Sequence, residues 1–371
     1  MSILYTNFHP DNGGGHTTYL TYLFKGVLSQ LNDIEVFLAA PKVSKLNKDL
    51  KKTYPDRVFD VDFPGKPKEI FSALFNAKKL REIIVNQRVD IVHVNGTPDH
   101  KVVMLCKWLY RLDFQIVRTK HDSFTMKKNW FANKLYGKYT DQMIVVSNYQ
   151  FEKVITQRLH HKTVVIKNGI DLEYFQPREK STELLKKFNI NSDDLVFVSV
   201  AGTSLHKGWQ FLVEAASRLE DSQRKKIKII LAGNIPSAKL VERYIERFRM
   251  QEQVFFTGYM RDVREVLSIG DVGFVLSIGV ETISFACREM MAMGKPILVS
   301  DYAGLSENIT NNQDGWIVKA GSVDETQRIL QQITATDLSN FKDSVIQKAT
   351  QNFGLEKFIR ETTHIYLRVS I

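Results

Sequence analysis

The sequence predicts an α/β protein of two doubly wound domains facing each other across a cleft. Three observations lead there. Short apolar runs alternate along the chain with segments of helical periodicity, the pattern of βαβ units and a parallel sheet. That pattern is laid down twice, on either side of a stretch of turn and breaker residues near 172–181. A length of 371 residues suits two domains of ~100–200 residues each.

Taken in order, strands are expected at residues 3–7, 34–39, 57–61, 90–94, 115–119, 142–146 and 163–166. Helical spacing fills the gaps at 17–31, 67–85 and 148–159. Asn168, Gly169, Asp171 and Pro177 mark the hinge region. The second half offers strands at 195–200, 228–231, 254–257, 272–276 and 297–300, and Trp209, Leu212, Val213, Ala216 and Leu219 follow the spacing of its first helix. Residues 355–369 are helical with no strand after them, so this last helix is expected to cross back to the first domain. The domains are set at 1–172 plus about 355–371, and at 173–354. Ligands belong at the carboxyl ends of the strands.

Composition narrows the class. At 43% hydrophobic and 25% charged residues the chain is neither disordered nor fibrous. Cys106 and Cys287 are its only cysteines, which removes a thiolate zinc site and a disulfide scaffold and fits a reducing compartment. No run approaches the ~20 apolar residues of a bilayer span. The first ten residues lack the basic-then-apolar plan of a secretory signal. A cytoplasmic protein is expected, at most peripheral on the inner face of the membrane. The net charge is +10 and its excess lies in the first half, which favours an anionic partner there. In that half Trp108, Leu109, Tyr110, Trp130, Phe131, Leu135 and Tyr136 are interleaved with Lys101, Lys107, Arg111, Lys127, Lys128, Lys134 and Lys138. These read either as basic amphipathic helices for an anionic membrane surface or as a core aromatic stripe with a solvated lysine face. No nucleic-acid-binding module appears, so nucleic acid is not expected as a partner.

Three loops carry chemistry. Asp11, Asn12, Gly13, Gly14 and Gly15 join the first strand to the first helix, where glycine lets backbone approach an anion; a flexible turn is the alternative. Gly202, Thr203, Ser204, His206, Lys207 and Gly208 follow the strand at 195–200. A lysine at a helix start is disfavoured by the macrodipole unless something negative, such as a ligand phosphate, lies near it. After the strand at 272–276 come Glu281 and Glu289. Eight residues at ~100° each do not align them on one helix face. Glu281 is therefore expected in the loop and Glu289 a few turns into the helix, with Phe285, Ala286, Met290 and Met293 in the core. Asp60 and Asp62 form a DxD triplet, but one such pair falls short of a full oxygen shell, so no metal is expected.

The pair Glu281 and Glu289, followed by Ala292, Met293, Gly294, Lys295 and Pro296, resembles the signature of the family 4 retaining glycosyltransferases. Asn168-Gly169-Ile170-Asp171, His121-Asp122, Lys207-Gly208, Asp90-Ile91-Val92-His93 and the stretch around Gly304 and Glu307 are similar to other motifs of that family, in order, over about residues 8–318. The resemblance implies GT-B architecture: a Rossmann-like acceptor domain followed by a Rossmann-like donor domain. It also implies a nucleotide-sugar donor such as a UDP-sugar and a glycan or lipid-linked acceptor, as in lipopolysaccharide or polysaccharide biosynthesis, with no cofactor and no metal. By the same resemblance Glu289 would hold the ribose, Glu281 the donor sugar, and Lys207 with Gly202 the diphosphate. The Gly14 and Gly15 amides would reach that diphosphate too. The backbone of Thr282, Ile283, Ser284 and Phe285 would meet the phosphates, and His121 the reacting sugar. Two departures stand out. Thr203 follows Gly202 where the family often has arginine, so one phosphate cation is either missing or supplied from elsewhere, as by Arg288 or Arg261. Thr282, Ile283 and Ser284 replace the glycine-containing run after the first glutamate. A phosphate-dependent sugar phosphorylase and a non-catalytic protein of the same fold are the alternatives.

Overall fold

The structure is a computed structural model that describes residues 1–10, 14–31, 33–127 and 129–370. Asp11, Asn12, Gly13 and Lys128, singled out above, lie outside the described residues. The chain forms two compact units, Met1–Gly169 with Leu355–Ile371, and Ile170–Gly354. The passage into the second unit comes at Ile170, whose amide donates to the Phe353 carbonyl at 2.8 Å and whose side chain is buried in that unit's core.

The first unit is built on a parallel sheet of β1 (Ser2–Thr6), β2 (Glu35–Ala40), β3 (Val58–Asp60), β4 (Ile91–Val94), β5 (Gln115–Lys120), β6 (Gln142–Val145) and β7 (Thr163–Val165), in the order β3-β2-β1-β4-β5-β6-β7. β1 pairs on both sides and every residue in it is buried, as its apolar run requires. The helix Gly15–Gln30 starts two residues before its apolar pattern does, because Gly14 takes the N-cap position at φ +118°. The expected helix over 148–159 is instead a π-turn, Gln150–Val154, and a 3₁₀ segment, Gln157–Lys162. The Gln150 carboxamide reaches the Val146 amide and the Lys120 and Asp122 carbonyls, tying this segment to the end of β5. The crossing helix Leu355–Val369 packs in this unit, where the Tyr366 hydroxyl meets His93 Nδ1 at 2.6 Å.

The second unit carries β8 (Leu195–Ser199), β9 (Ile227–Ala232), β10 (Val254–Gly258), β11 (Val272–Val275), β12 (Ile297–Ser300) and β13 (Gly315–Val318), ordered β10-β9-β8-β11-β12-β13. Alternate residues of β8 serve two cores: Val196 and Val198 pack with Met290, Met291 and Met293, and Phe197 packs with Trp209 and Trp316. β13 was not expected, since four residues opening on glycine show no apolar run long enough to read.

The aromatic stretch of the first unit divides. Trp108, Leu109, Trp130 and Phe131 are exposed, Leu135 is buried, and Tyr110 and Tyr136 lie half-buried beside Arg81 and Arg118. Among the described residues no helix is long and apolar enough to cross a membrane. Asp60 of the DxD triplet accepts from Lys51 Nζ at 2.8 Å and Asn47 Nδ2 at 3.0 Å, so its carboxylate is committed to a local ion pair.

Candidate functional site

In the second unit the loops after β8 and β11 come together at the carboxyl edge of the sheet. Gly208 makes this approach feasible: it sits at φ +78°, and a Cβ there would run into the Leu276 carbonyl at the end of β11. The His206 carbonyl accepts from the Ile278 amide at 2.9 Å, fixing one loop to the other. Lys207 ends a short 3₁₀ turn before the helix Trp209–Ser217, and its Nζ donates to Glu281 Oε2 at 2.7 Å. The anion expected near this lysine is thus, in the free protein, a carboxylate of the chain itself. Both side chains are largely shielded, 19% and 10% exposed, so solvent and salt screen this pair less than a surface salt bridge.

Glu281 lies in the loop, and its Oε1 accepts from the Thr282 amide at 3.2 Å. The helix begins at Phe285, so Glu289 stands one turn into it rather than a few. Its carboxyl is pushed up to about 7 by burial alone, and no ion pair or hydrogen bond reaches it among the described residues. A carboxylate held in this way is what a ligand bringing hydroxyl donors would stabilise.

Ile283 is fully buried and anchors the loop, its carbonyl accepting from Asn308 Nδ2 at 2.7 Å. Ser284 caps the helix through its hydroxyl, which accepts from the Cys287 amide at 3.4 Å, and carries φ +57°. Val280 carries φ +49°. Two residues with side chains in the left-handed region mark stored strain in this loop. Gly202 lies close to Gly233 in the loop after β9, and the hydroxyl of Thr203 donates to the Asn234 carbonyl, tying these two loops together.

Arg288 is not a surface cation. It is fully buried, donates from Nε to Asn308 Oδ1 at 2.9 Å and lies 4.5 Å from the centre of the Phe353 ring, and burial lowers its pKa to about 10. The expectation that it replaces the missing arginine is corrected: one step along the helix from Glu289 turns it into the core. Arg261 is exposed in the loop after β10.

In the first unit the carboxyl edge gathers histidine and asparagine side chains beside the Lys120–Asp122 ion pair. His121 follows β5, and its ring lies 4.2 Å from that of His16 and 4.5 Å from that of Tyr19. His9, after β1, stands 4.5 Å from His16. His121 Nε2 meets Asn95 Oδ1 at 2.9 Å. Burial, with His16, His93 and Arg118 nearby, holds His121 well below the usual histidine range, and burial holds His16 down to about 3. Asp122 accepts from Lys120 Nζ at 2.6 Å and from the Phe124 amide, which shapes the loop. The helix start at Gly15 has no side-chain cap and no acidic residue in its first turn. Among the described residues no group of three or more His, Cys, Asp or Glu side chains fits a metal ion. Sequence reasoning missed His9, His16 and Asn95 as site residues; for His9 and Asn95 their positions just past β1 and β4 were the available signal, whereas His16 stands in the first turn of the helix after β1.

Residues 13–174 match the family model "Glycosyltransferase Family 4", and residues 180–352 the model "Glycosyl transferases group 1". An N,N'-diacetylbacillosaminyl-diphospho-undecaprenol alpha-1,3-N-acetylgalactosaminyltransferase of Campylobacter jejuni is 32% identical over 70% of this chain and 72% of its own length. An Escherichia coli UDP-Gal:alpha-D-GlcNAc-diphosphoundecaprenol alpha-1,3-galactosyltransferase is 23% identical over 78% of each. The Anabaena Alr3699/HepE protein, solved in complex with UDP, has the same fold at TM-score 0.82, with 17% identity over 99% of this chain and 100% of that one.

Proposed function

The chain belongs to the family 4 glycosyltransferases, and from that premise we propose that it moves a sugar from a nucleotide-diphosphate donor to a lipid-linked glycan, retaining the anomeric configuration. The observation that carries this reading is the charged group at the carboxyl edge of β8 and β11: an ammonium, its partner carboxylate and a second, unpaired carboxylate within one set of loops. A glycosyl diphosphate already holds a good leaving group, so the protein's task is to stabilise charge growing on the departing β-phosphate. Lys207 supplies a cation for it once the donor draws it from Glu281. Glu281 is then available to the hydroxyls of the donor sugar, and Glu289 takes the ribose hydroxyls. Gly202 and the backbone of Thr282, Ile283, Ser284 and Phe285 line the diphosphate. In the first unit the uncapped amides after Gly14, at Gly15, suit an anion, and His121 suits a sugar hydroxyl. With one ammonium and fixed amide dipoles as the positive groups, the reading calls for no metal. The Campylobacter and Escherichia relatives are named for diphospho-undecaprenol acceptors, and this chemistry is carried to the present chain as the acceptor class. No observation favours the phosphorylase alternative.

A membrane surface is the second part of the proposal. The helix Ile70–Asn86 opens with Ile70, Phe71, Leu74 and Phe75 exposed, Phe71 by 83%, and Trp108 and Trp130 are exposed by 64% and 69%. Cations sit among them: Lys101 Nζ lies 5.8 Å from the Phe131 ring centre and Lys134 Nζ 4.1 Å from that of Trp130. Aromatic side chains beside lysines suit the interface of an anionic bilayer, where a lipid-linked acceptor resides.

The test is a transfer assay with a panel of nucleotide sugars and undecaprenyl-diphosphate-linked acceptors, the product anomer assigned by NMR. Transfer with retention is expected; inversion, or sugar release only with inorganic phosphate, contradicts the reading. Vesicles containing phosphatidylglycerol should co-sediment the protein and phosphatidylcholine vesicles should not, with Phe71→Ser/Phe75→Ser weakening the binding. Equal binding of the variant contradicts the membrane part.

A further inference from the structure

Asn95 is the first residue after β4 and is 1% exposed. Its Nδ2 donates to the Thr6 carbonyl at 3.1 Å and to the His93 carbonyl at 3.2 Å. Carbonyl oxygens only accept, so the carboxamide cannot be turned over, and Oδ1 must be the atom that faces His121. The main chain at this point is held as well: the Asn95 amide donates to Asp99 Oδ2 at 2.8 Å, and the Thr6 hydroxyl donates to the same oxygen at 2.7 Å. An oxygen that can only accept, 2.9 Å from His121 Nε2, requires the proton to be on Nε2. The neutral ring then has its lone pair at Nδ1.

We propose that Asn95 is a positioning residue that locks His121 in the Nε2–H tautomer, so that whatever meets Nδ1 must be a hydrogen-bond donor. A sugar hydroxyl meets that condition; a phosphate oxygen or a carboxylate does not. The proposal rests on the reading of His121 as the residue that meets the sugar, and it adds which ring nitrogen does so and what enforces it. Around His121 stand His16 and Tyr19 on the first helix, His9 after β1, His93 on β4 and Arg118 on β5.

The experiment is ¹⁵N NMR of the histidine side chains in the full-length wild-type protein, with kinetics of Asn95→Leu and Asn95→Asp. His121 is expected to show a protonated, pyrrole-type Nε2 and a pyridine-type Nδ1. Asn95→Leu removes the acceptor and should lower kcat on the order of 10-fold to 100-fold, the usual cost of losing an orienting partner, with nucleotide affinity unchanged. Asn95→Asp keeps an acceptor and should recover most of that loss. Its carboxylate also stabilises the imidazolium, so the acid limb of the kcat–pH profile should move to higher pH, which a merely structural role would not produce. A proton on Nδ1 in the wild type overturns the proposal, as does wild-type turnover by Asn95→Leu, or equal losses in both variants with no shift of the acid limb. A wild-type protein that transfers no sugar would refute the proposed function instead, and the nitrogen spectrum would still decide the tautomer.

Discussion

The two units share a plan and differ in where they keep their charge. The first holds 29 Lys and Arg against 17 Asp and Glu, the second 22 against 24. Yet the carboxyl edge of the basic unit gathers His9, His16, Asn95 and His121, and that of the near-neutral unit Lys207, Glu281 and Glu289. Net charge therefore reports on the outer surface of each unit and not on its site. In the first unit Thr6, His93, Asn95 and Asp99 share a buried hydrogen-bond network; in the second a strained loop holds Glu281 paired with Lys207, and the helix after it holds Glu289, whose carboxyl no ion pair or hydrogen bond reaches among the described residues. The first arrangement favours stability and fixed geometry, the second favours a ligand.

Lys207→Ala breaks that contrast most severely. It removes the cation paired with Glu281, and turnover should fall on the order of 10²–10³, measured as kcat with circular dichroism to establish folding. Glu289→Gln comes next. Its carboxyl sits at about 7 in the folded protein against an ordinary 4.5, so between those values the folded state holds a proton that the unfolded chain has released. Stability therefore falls as pH rises through that window, by about 3 kcal/mol at most. The variant should lose this slope, with a Tm above wild type at pH 8 and close to it at pH 4.5, and should bind nucleotide roughly 10-fold to 100-fold more weakly, as expected for hydrogen bonds to a charged group. Tyr366→Phe probes the buried hydrogen-bond network of the first unit. It strips His93 Nδ1 of its buried partner and should cost about 1–3 kcal/mol in urea unfolding, with nucleotide binding unchanged. Ser284→Gly gives the smallest effect: release of a left-handed serine is worth about 1–2 kcal/mol, less a few tenths for the lost cap, and should appear as a raised urea midpoint.

Much of this contrast was legible in the chain. Parallel strands buried on both faces are continuous apolar runs, which is why twelve of the thirteen strands could be placed within a residue or two. The loops holding Lys207, Glu281 and Glu289 could be found because each follows such a run. Their partnership could not. Residues 207 and 281 meet only because Gly208 admits the Leu276 carbonyl, a contact between segments far apart in sequence. Arg288 was misjudged because the phase of a helix that starts at Phe285 cannot be read from charge, and Phe353, the ring it covers, lies in another helix end. His9, His16 and Asn95 carry no motif of their own; the register of β1, β4 and β5 and the packing of the first helix bring them to His121.

The most direct measurement is calorimetric titration of UDP and UDP-sugars into wild-type protein, Lys207→Ala and Glu289→Ala. If the charged edge of the second unit is the donor site, at least one nucleotide binds the wild type, and both variants, still folded, bind it at least tenfold more weakly. Unchanged affinity in both would contradict that assignment.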